Sequence, residues 1–145
     1  MKPIHILLVE DNDGDILLTT EALNDGKIAS SVSVVKDGWE AIQFLEKKGK
    51  YLSQHSPDLV LLDINLPKMN GHEVLKYIKT NVGLKHIPVI MLTTSTSMHD
   101  STQSFENMAD CFIIKPVDAA DFLKVIASIE SFWISSAHLP NNTNN

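Results

Sequence analysis

Three acidic side chains stand at the ends of apolar runs. Glu10 and Asp11 follow Ile4 to Val9 (IHILLV), and Asp63 follows Leu59 to Leu62 (LVLL). The turn after the second run is served by PKMNG, with Pro67 and Gly71 as punctuation, so Asp63 is not needed to end it. Carboxylates within about 4–6 Å raise one another's pKa, commonly by a unit or more, and such a cluster costs stability if left bare. A divalent cation removes that cost, and an all-oxygen set with room for water suits Mg²⁺ or Mn²⁺ better than zinc. Two further run ends carry complementary chemistry. Thr93 and Thr94 follow VIML, and Lys115, before Pro116, follows CFII. A hydroxyl and an ammonium beside a metal and a carboxylate can hold a phosphoryl group. The cation and Lys115 would neutralise its oxygens, Thr93 would donate a hydrogen bond, and Asp63 would be the nucleophile. Taken singly, each of these is an ordinary loop acid, turn residue or surface lysine; only a shared location gives them this meaning.

That location depends on the elements carrying them. Ile4 to Val9, Ser31 to Val35, Leu59 to Leu62, Val89 to Leu92 and Cys111 to Ile114 are short, apolar or β-branched, and bounded by polar residues or turn formers, which predicts five strands. Helical spacing lies between and after them: Ile16, Leu17, Thr20, Leu23; Ala41, Ile42, Leu45; Val74, Leu75, Ile78; and Phe122, Val125, Ile126, Ile129, Phe132, Trp133. Met98 to Ala109 is a weaker helix, and Asp118 is a candidate N-cap for the last one. Strict β–α alternation with near-continuous apolar strands predicts an α/β fold, a five-stranded parallel sheet covered by helices on both faces. Right-handed crossovers then favour the doubly wound, three-layer, flavodoxin-like order 2-1-3-4-5, in which ligands sit between strands 1 and 3 where the winding reverses. Glu10, Asp11 and Asp63 fall there.

Composition narrows the function classes. The chain has 145 residues, 43% hydrophobic, which fits one domain with a single core. The formal charge of −6 with scattered lysines leaves no footprint for nucleic acid. Cys111 is the one cysteine, so no internal disulfide or multi-cysteine metal site is expected, in keeping with a reducing compartment. No apolar run approaches the roughly 18 residues of a membrane span, and MKPIHILLVED is too soon charged for a signal peptide. A cytoplasmic location is expected, without a membrane. The six histidines show no metal-ligand spacing, and Gly49–Lys50 lacks the frame of a phosphate-binding loop.

With VED after the first strand, LLDINLPKMNG at the third, MLTTS at the fourth and FIIKP at the fifth, the chain resembles the receiver domains of two-component response regulators. The resemblance runs from about Ile4 to Trp133 and suggests a receiver domain over 1–135 with a tail at 136–145. It implies Mg²⁺-dependent transfer of a phosphoryl group from a histidine kinase to Asp63, the protein being a signalling acceptor and not an enzyme, although it promotes its own phosphorylation and dephosphorylation. Asp11 would contact the metal directly, Glu10 through water, and Asn65 through its backbone carbonyl. Lys115 would pair with the phosphoryl oxygens, and Lys115–Pro116 would be a cis peptide. The family's switch would couple Thr93 to Phe112, whose ring lacks the hydroxyl of the tyrosine variant. EDNDGDILLTTEAL, FLEKKGKYLSQHSPDLVLLDINLPKMNG and SFWISSAHLP look like the stand-alone receivers that accompany bacterial and cyanobacterial phytochrome histidine kinases. That subfamily has no DNA-binding domain, and none is expected here.

Three other classes compete. A metal-dependent phosphatase or phosphotransferase with an aspartyl-phosphate intermediate would need a substrate pocket and a cap. A flavin module on this strand order would meet phosphate repulsion from EDND. A degenerate receiver that only binds proteins is disfavoured by the presence of Asp11, Asp63, Thr93 and Lys115 together. Finally, Phe132, Trp133, Ile134, Ala137 and Leu139 crowd apolar surface at the chain's end. With Phe112 they predict a homodimer or a partner-docking face.

Overall fold

The computed structural model describes residues 4–25, 30–93 and 111–114, with 124, 127, 128 and 131. In chain order these form β1 (Ile4–Val9), α1 (Asp13–Asn24), β2 (Ser30–Val35), α2 (Gly38–Leu45), a 3₁₀ turn (Gly49–Tyr51), β3 (Leu59–Asp63), α3 (Gly71–Thr80), β4 (Val89–Thr93) and β5 (Cys111–Ile114). All neighbouring strands pair in parallel, in the order β2-β1-β3-β4-β5. This is the doubly wound order expected from the β–α alternation.

Successive side chains on a strand point to opposite faces, so each central strand feeds two cores. Leu7, Val9, Val60, Leu62, Val89 and Met91 pack against Ala41, Ile42, Phe44, Leu45, Val74, Leu75 and Ile78 of α2 and α3. Ile6, Leu8, Leu59, Leu61, Ile90 and Leu92 fill the other face with Ala22 and Leu23 of α1. Burying a Leu or Ile side chain contributes roughly 1.5–3 kcal/mol. Two such layers make the carboxyl edge of the sheet a rigid base for whatever stands on it.

Each of the three described helix starts, α1, α2 and α3, is fixed by its own cap. Asn12 Oδ1 accepts from the Asp15 N–H at 2.9 Å, and Asp37 Oδ1 accepts from the Glu40 N–H at 2.7 Å. Asn70 and Glu73 form a reciprocal capping box on α3. The long connection from α2 to β3 is held by Tyr51. Its O–H donates to Glu40 at 2.6 Å, and its ring lies 5.1 Å from that of Phe44. The Tyr51 hydrogen bond holds the Glu40 carboxyl below its usual value, while burial, then Glu40, pushes the phenol up.

One sequence expectation needs correction in part. Of the α1 residues read at helical spacing, Leu23 is buried, Ile16 packs half-buried against the core and Thr20 is half-buried, but Leu17 is 58% exposed, and the buried face is completed by Thr19 and Ala22. Thr19 can sit inside because its hydroxyl donates to the Asp15 carbonyl at 2.7 Å, which satisfies its polar atom within the helix. Asp63 is the last residue of β3, paired in register with Leu92, so it stands at the carboxyl end of the third strand, as the sequence indicates. Met98 to Ala109 and the cap at Asp118 lie outside the described residues. So does the apolar stripe of the last helix, but Lys124, Ala127, Ser128 and Ser131 are helical and exposed, at the spacing of one helix face.

Candidate functional site

The register explains why the acids meet. Val9, the last residue of β1, is level with Leu62 of β3, so Glu10, the residue after β1, and Asp63, the last residue of β3, arrive at the same edge side by side. Asp11 continues outward from Glu10 before α1 begins. One carboxylate oxygen from each of Glu10, Asp11 and Asp63 lies within 4.8 Å of the others. Glu10 is 1% exposed and Asp63 4%, whereas Asp11 faces solvent. Two carboxylates are thus held in the protein and a third closes the site from outside.

Backbone amides orient the two inner acids. The Asn12 N–H donates to Glu10 Oε2 at 3.2 Å, and the Asn65 N–H donates to Asp63 Oδ1 at 3.3 Å. Glu10 is anchored through its own N–H to the Val35 carbonyl at 3.0 Å, and Ile64 through its N–H to the Leu92 carbonyl at 3.3 Å. The α1 and α3 N-termini open on the same edge, and their partial positive charge favours anions there.

A like-charge pair 4 Å apart costs about 1 kcal/mol in water and about 4 kcal/mol at the effective dielectric of a protein surface. The cluster therefore calls for a counter-charge. Octahedral Mg²⁺ or Mn²⁺ with oxygens at roughly 2.1 Å needs adjacent ligand oxygens about 3 Å apart, which donors already within 4.8 Å reach by small side-chain movements. The donor set is all oxygen, with neither His nor Cys, so a zinc site is not indicated. The acids fit a divalent hard cation.

Of the other predicted site residues, Asn65 is exposed in the loop after β3. Thr93 ends β4 level with Ile114, the last residue of β5, and Phe112 pairs in register with Met91. Lys115 follows Ile114 in the chain, but Lys115, Pro116, Phe132 and Trp133 lie outside the described residues. Sequence reasoning missed Asn12, which both caps α1 and holds Glu10. Its signal was present in EDND as an N-cap residue before a helical run.

A model of the response regulator receiver domain matches residues 6–127 of this chain. Response regulator Rcp1 of Synechocystis sp. is 42% identical over 138 residues, 95% of this chain and 94% of the relative. The crystal structure of the phosphorylated cyanobacterial phytochrome response regulator RcpA aligns with a TM-score of 0.85 at 41% identity, covering 93% of this chain and 96% of that one. The Mn²⁺-bound form of Rcp1 aligns with a TM-score of 0.82 at 43% identity, covering 90% and 94%. The β2-β1-β3-β4-β5 sheet, the acids gathered where its winding reverses and these likenesses agree: the chain belongs to the receiver domain family of two-component response regulators.

Proposed function

We propose that this protein accepts a single phosphoryl group on Asp63 from a histidine kinase in a Mg²⁺-dependent reaction, and that acceptance switches a protein-interaction surface. The observation that carries the reading is the convergence of Glu10, Asp11 and Asp63, two of them buried. Glu10, Asp11, Asp63 and the Asn65 carbonyl would hold Mg²⁺ or Mn²⁺, which when bound supplies positive charge to the phosphoryl oxygens. Asp63 supplies the nucleophile: one carboxylate oxygen bonds to phosphorus as the P–N bond of the donor phosphohistidine breaks, and the leaving imidazole keeps the electron pair and takes a proton. The Asn65 N–H on Oδ1 fixes the plane of the attacking carboxylate. Thr93 is assigned a hydrogen bond to the phosphoryl group, Lys115 its charge, and Thr93 with Phe112 the switch.

The receiver is assigned to 1–135 and the tail to 136–145, in the cytoplasm. Relatives named as phytochrome response regulators support a phytochrome-type kinase as the donor. A degenerate, purely protein-binding receiver is not favoured, because the acids that such a protein could lose are present and assembled.

With acetyl phosphate as donor, intact mass should show one phosphoryl group in the presence of Mg²⁺ or Mn²⁺ and none with a chelator. Labelling that ignores the chelator, or no labelling with either metal, contradicts the proposal. The aromatic crowding of Phe112, Phe132 and Trp133 extends it to a homodimer. Light scattering should find wild type paired and Phe132→Ala less so, and a wild type that stays monomeric at high micromolar concentration, phosphorylated or not, removes the dimer.

A further inference from the structure

The loop 64–70 follows directly on Asp63 and carries Asn65. Two glycines pin it from opposite ends. On α3, a Cβ placed on Gly71 would lie 2.4 Å from the Asp63 carbonyl oxygen and 2.7 Å from Ile64 Cα. On α2, a Cβ on Gly38 would lie 1.8 Å from the Met69 carbonyl oxygen and 2.6 Å from its carbon. These are main-chain atoms, which cannot swing aside as the tip of a side chain can. The start of α2 is tied to the same loop twice more: the Gly38 N–H points to the Pro67 carbonyl at 3.5 Å, and the Lys68 ammonium lies 3.6 Å from the Asp37 carboxylate. At its far end the loop is closed by the Gly71 N–H on the Ile64 carbonyl at 2.9 Å.

We propose that Gly38 is a positioning residue for the acceptor site. Its lack of a side chain lets the α2 N-terminus seat on the Met69 carbonyl and so holds loop 64–70, with the Asn65 amide and carbonyl, in place over Asp63. The proposal rests on Asp63 being the acceptor. A methyl group at position 38 must open the Met69 contact from 1.8 Å to beyond 3.0 Å, a shift of more than an ångström. Displacements of that size at reacting groups cost on the order of 10²-fold in rate. Helix propensity predicts the opposite sign, because alanine suits a helix better than glycine. A loss of function at Gly38→Ala therefore reports the contact and not the helix.

The test compares the full-length wild type, Gly38→Ala and Gly83→Ala, a control whose added Cβ meets nothing closer than Asn81 Oδ1 at 3.5 Å. Mg²⁺ titration, thermal melting and the rate of labelling by acetyl phosphate at saturating Mg²⁺ are measured well below each melting temperature. Folded Gly38→Ala should bind Mg²⁺ several-fold more weakly and label at least about tenfold more slowly, while Gly83→Ala matches wild type. A folded Gly38→Ala with wild-type Mg²⁺ affinity and labelling rate overturns the proposal. If wild type does not label at all, the acceptor reading has failed, and the Mg²⁺ affinity of Gly38→Ala alone decides whether the glycine positions the loop. If Gly38→Ala does not fold, wild type and Trp39→Phe are compared, and the emission lost in the variant reports Trp39, half-exposed and next to Gly38. Its emission should then shift on adding Mg²⁺ with beryllofluoride, because coupling between site and helix start is reciprocal. An unchanged Trp39 difference spectrum in protein whose Mg²⁺ titration and beryllofluoride binding show the site occupied overturns the proposal, whereas no binding at all counts against the acceptor reading.

Discussion

Asp63→Asn is expected to abolish phosphoryl acceptance, with labelling by acetyl phosphate reduced by at least about 10³-fold, because an amide oxygen is not a competent nucleophile here. The substitution is close to isosteric, and it keeps an oxygen for the Asn65 N–H that now meets Oδ1. It also removes one charge from a repelling, partly buried set. The folded state should therefore survive, so loss of labelling cannot be attributed to unfolding. Intact-mass measurement checks the labelling and a thermal melt checks the fold. A folded variant labelled as fast as wild type would show that the nucleophile lies elsewhere.

The second large effect is on metal affinity. Asp11→Ala should weaken Mg²⁺ binding on the order of 10²-fold, since it removes a ligand and one of three negative charges. The same change should stabilise the metal-free protein. Asp11 is solvent-exposed, so its deletion leaves no buried group without a partner, and relief of repulsion contributes about 1 kcal/mol at the water end of the dielectric range. For a chain of this size that raises the melting temperature by about 2–4 °C. Calorimetric titration with Mg²⁺ and melts in chelator measure the two signs independently. A lower melting temperature in chelator would contradict the repulsion argument, and an unchanged Mg²⁺ affinity would remove Asp11 from the ligand set.

The sheet order and the meeting of the acids could be read from sequence for one reason. Apolar runs that alternate with helical periods leave few topologies, and the residue at which each apolar run stops marks the strand's carboxyl end. Glu10 and Asp63 needed no side-chain detail beyond that. The α1 face was misread in part because Leu17 looks like a core residue and Thr19 does not, while a hydroxyl bonded back to Asp15 hides its polarity. The seating of Gly38 on Met69 left no sequence signal, since it is a main-chain contact between segments far apart in the chain, and its only mark is the absence of a side chain. The Tyr51–Glu40 bond was invisible for a related reason: the long α2–β3 connection has no periodicity to say which way Tyr51 turns.

The central claim is that the carboxylate of Asp63 receives the phosphoryl group. Borohydride reduction of the labelled protein tests it most directly, because an aspartyl phosphate is reduced to homoserine while an unmodified carboxylate is not. Peptide mass spectrometry after labelling with Mg²⁺ and reduction should find homoserine at position 63, and nowhere else, and should find none when chelator replaces the metal. Homoserine arising from a different aspartate, or a stable label on a histidine or serine with Asp63 unreduced, would contradict the account.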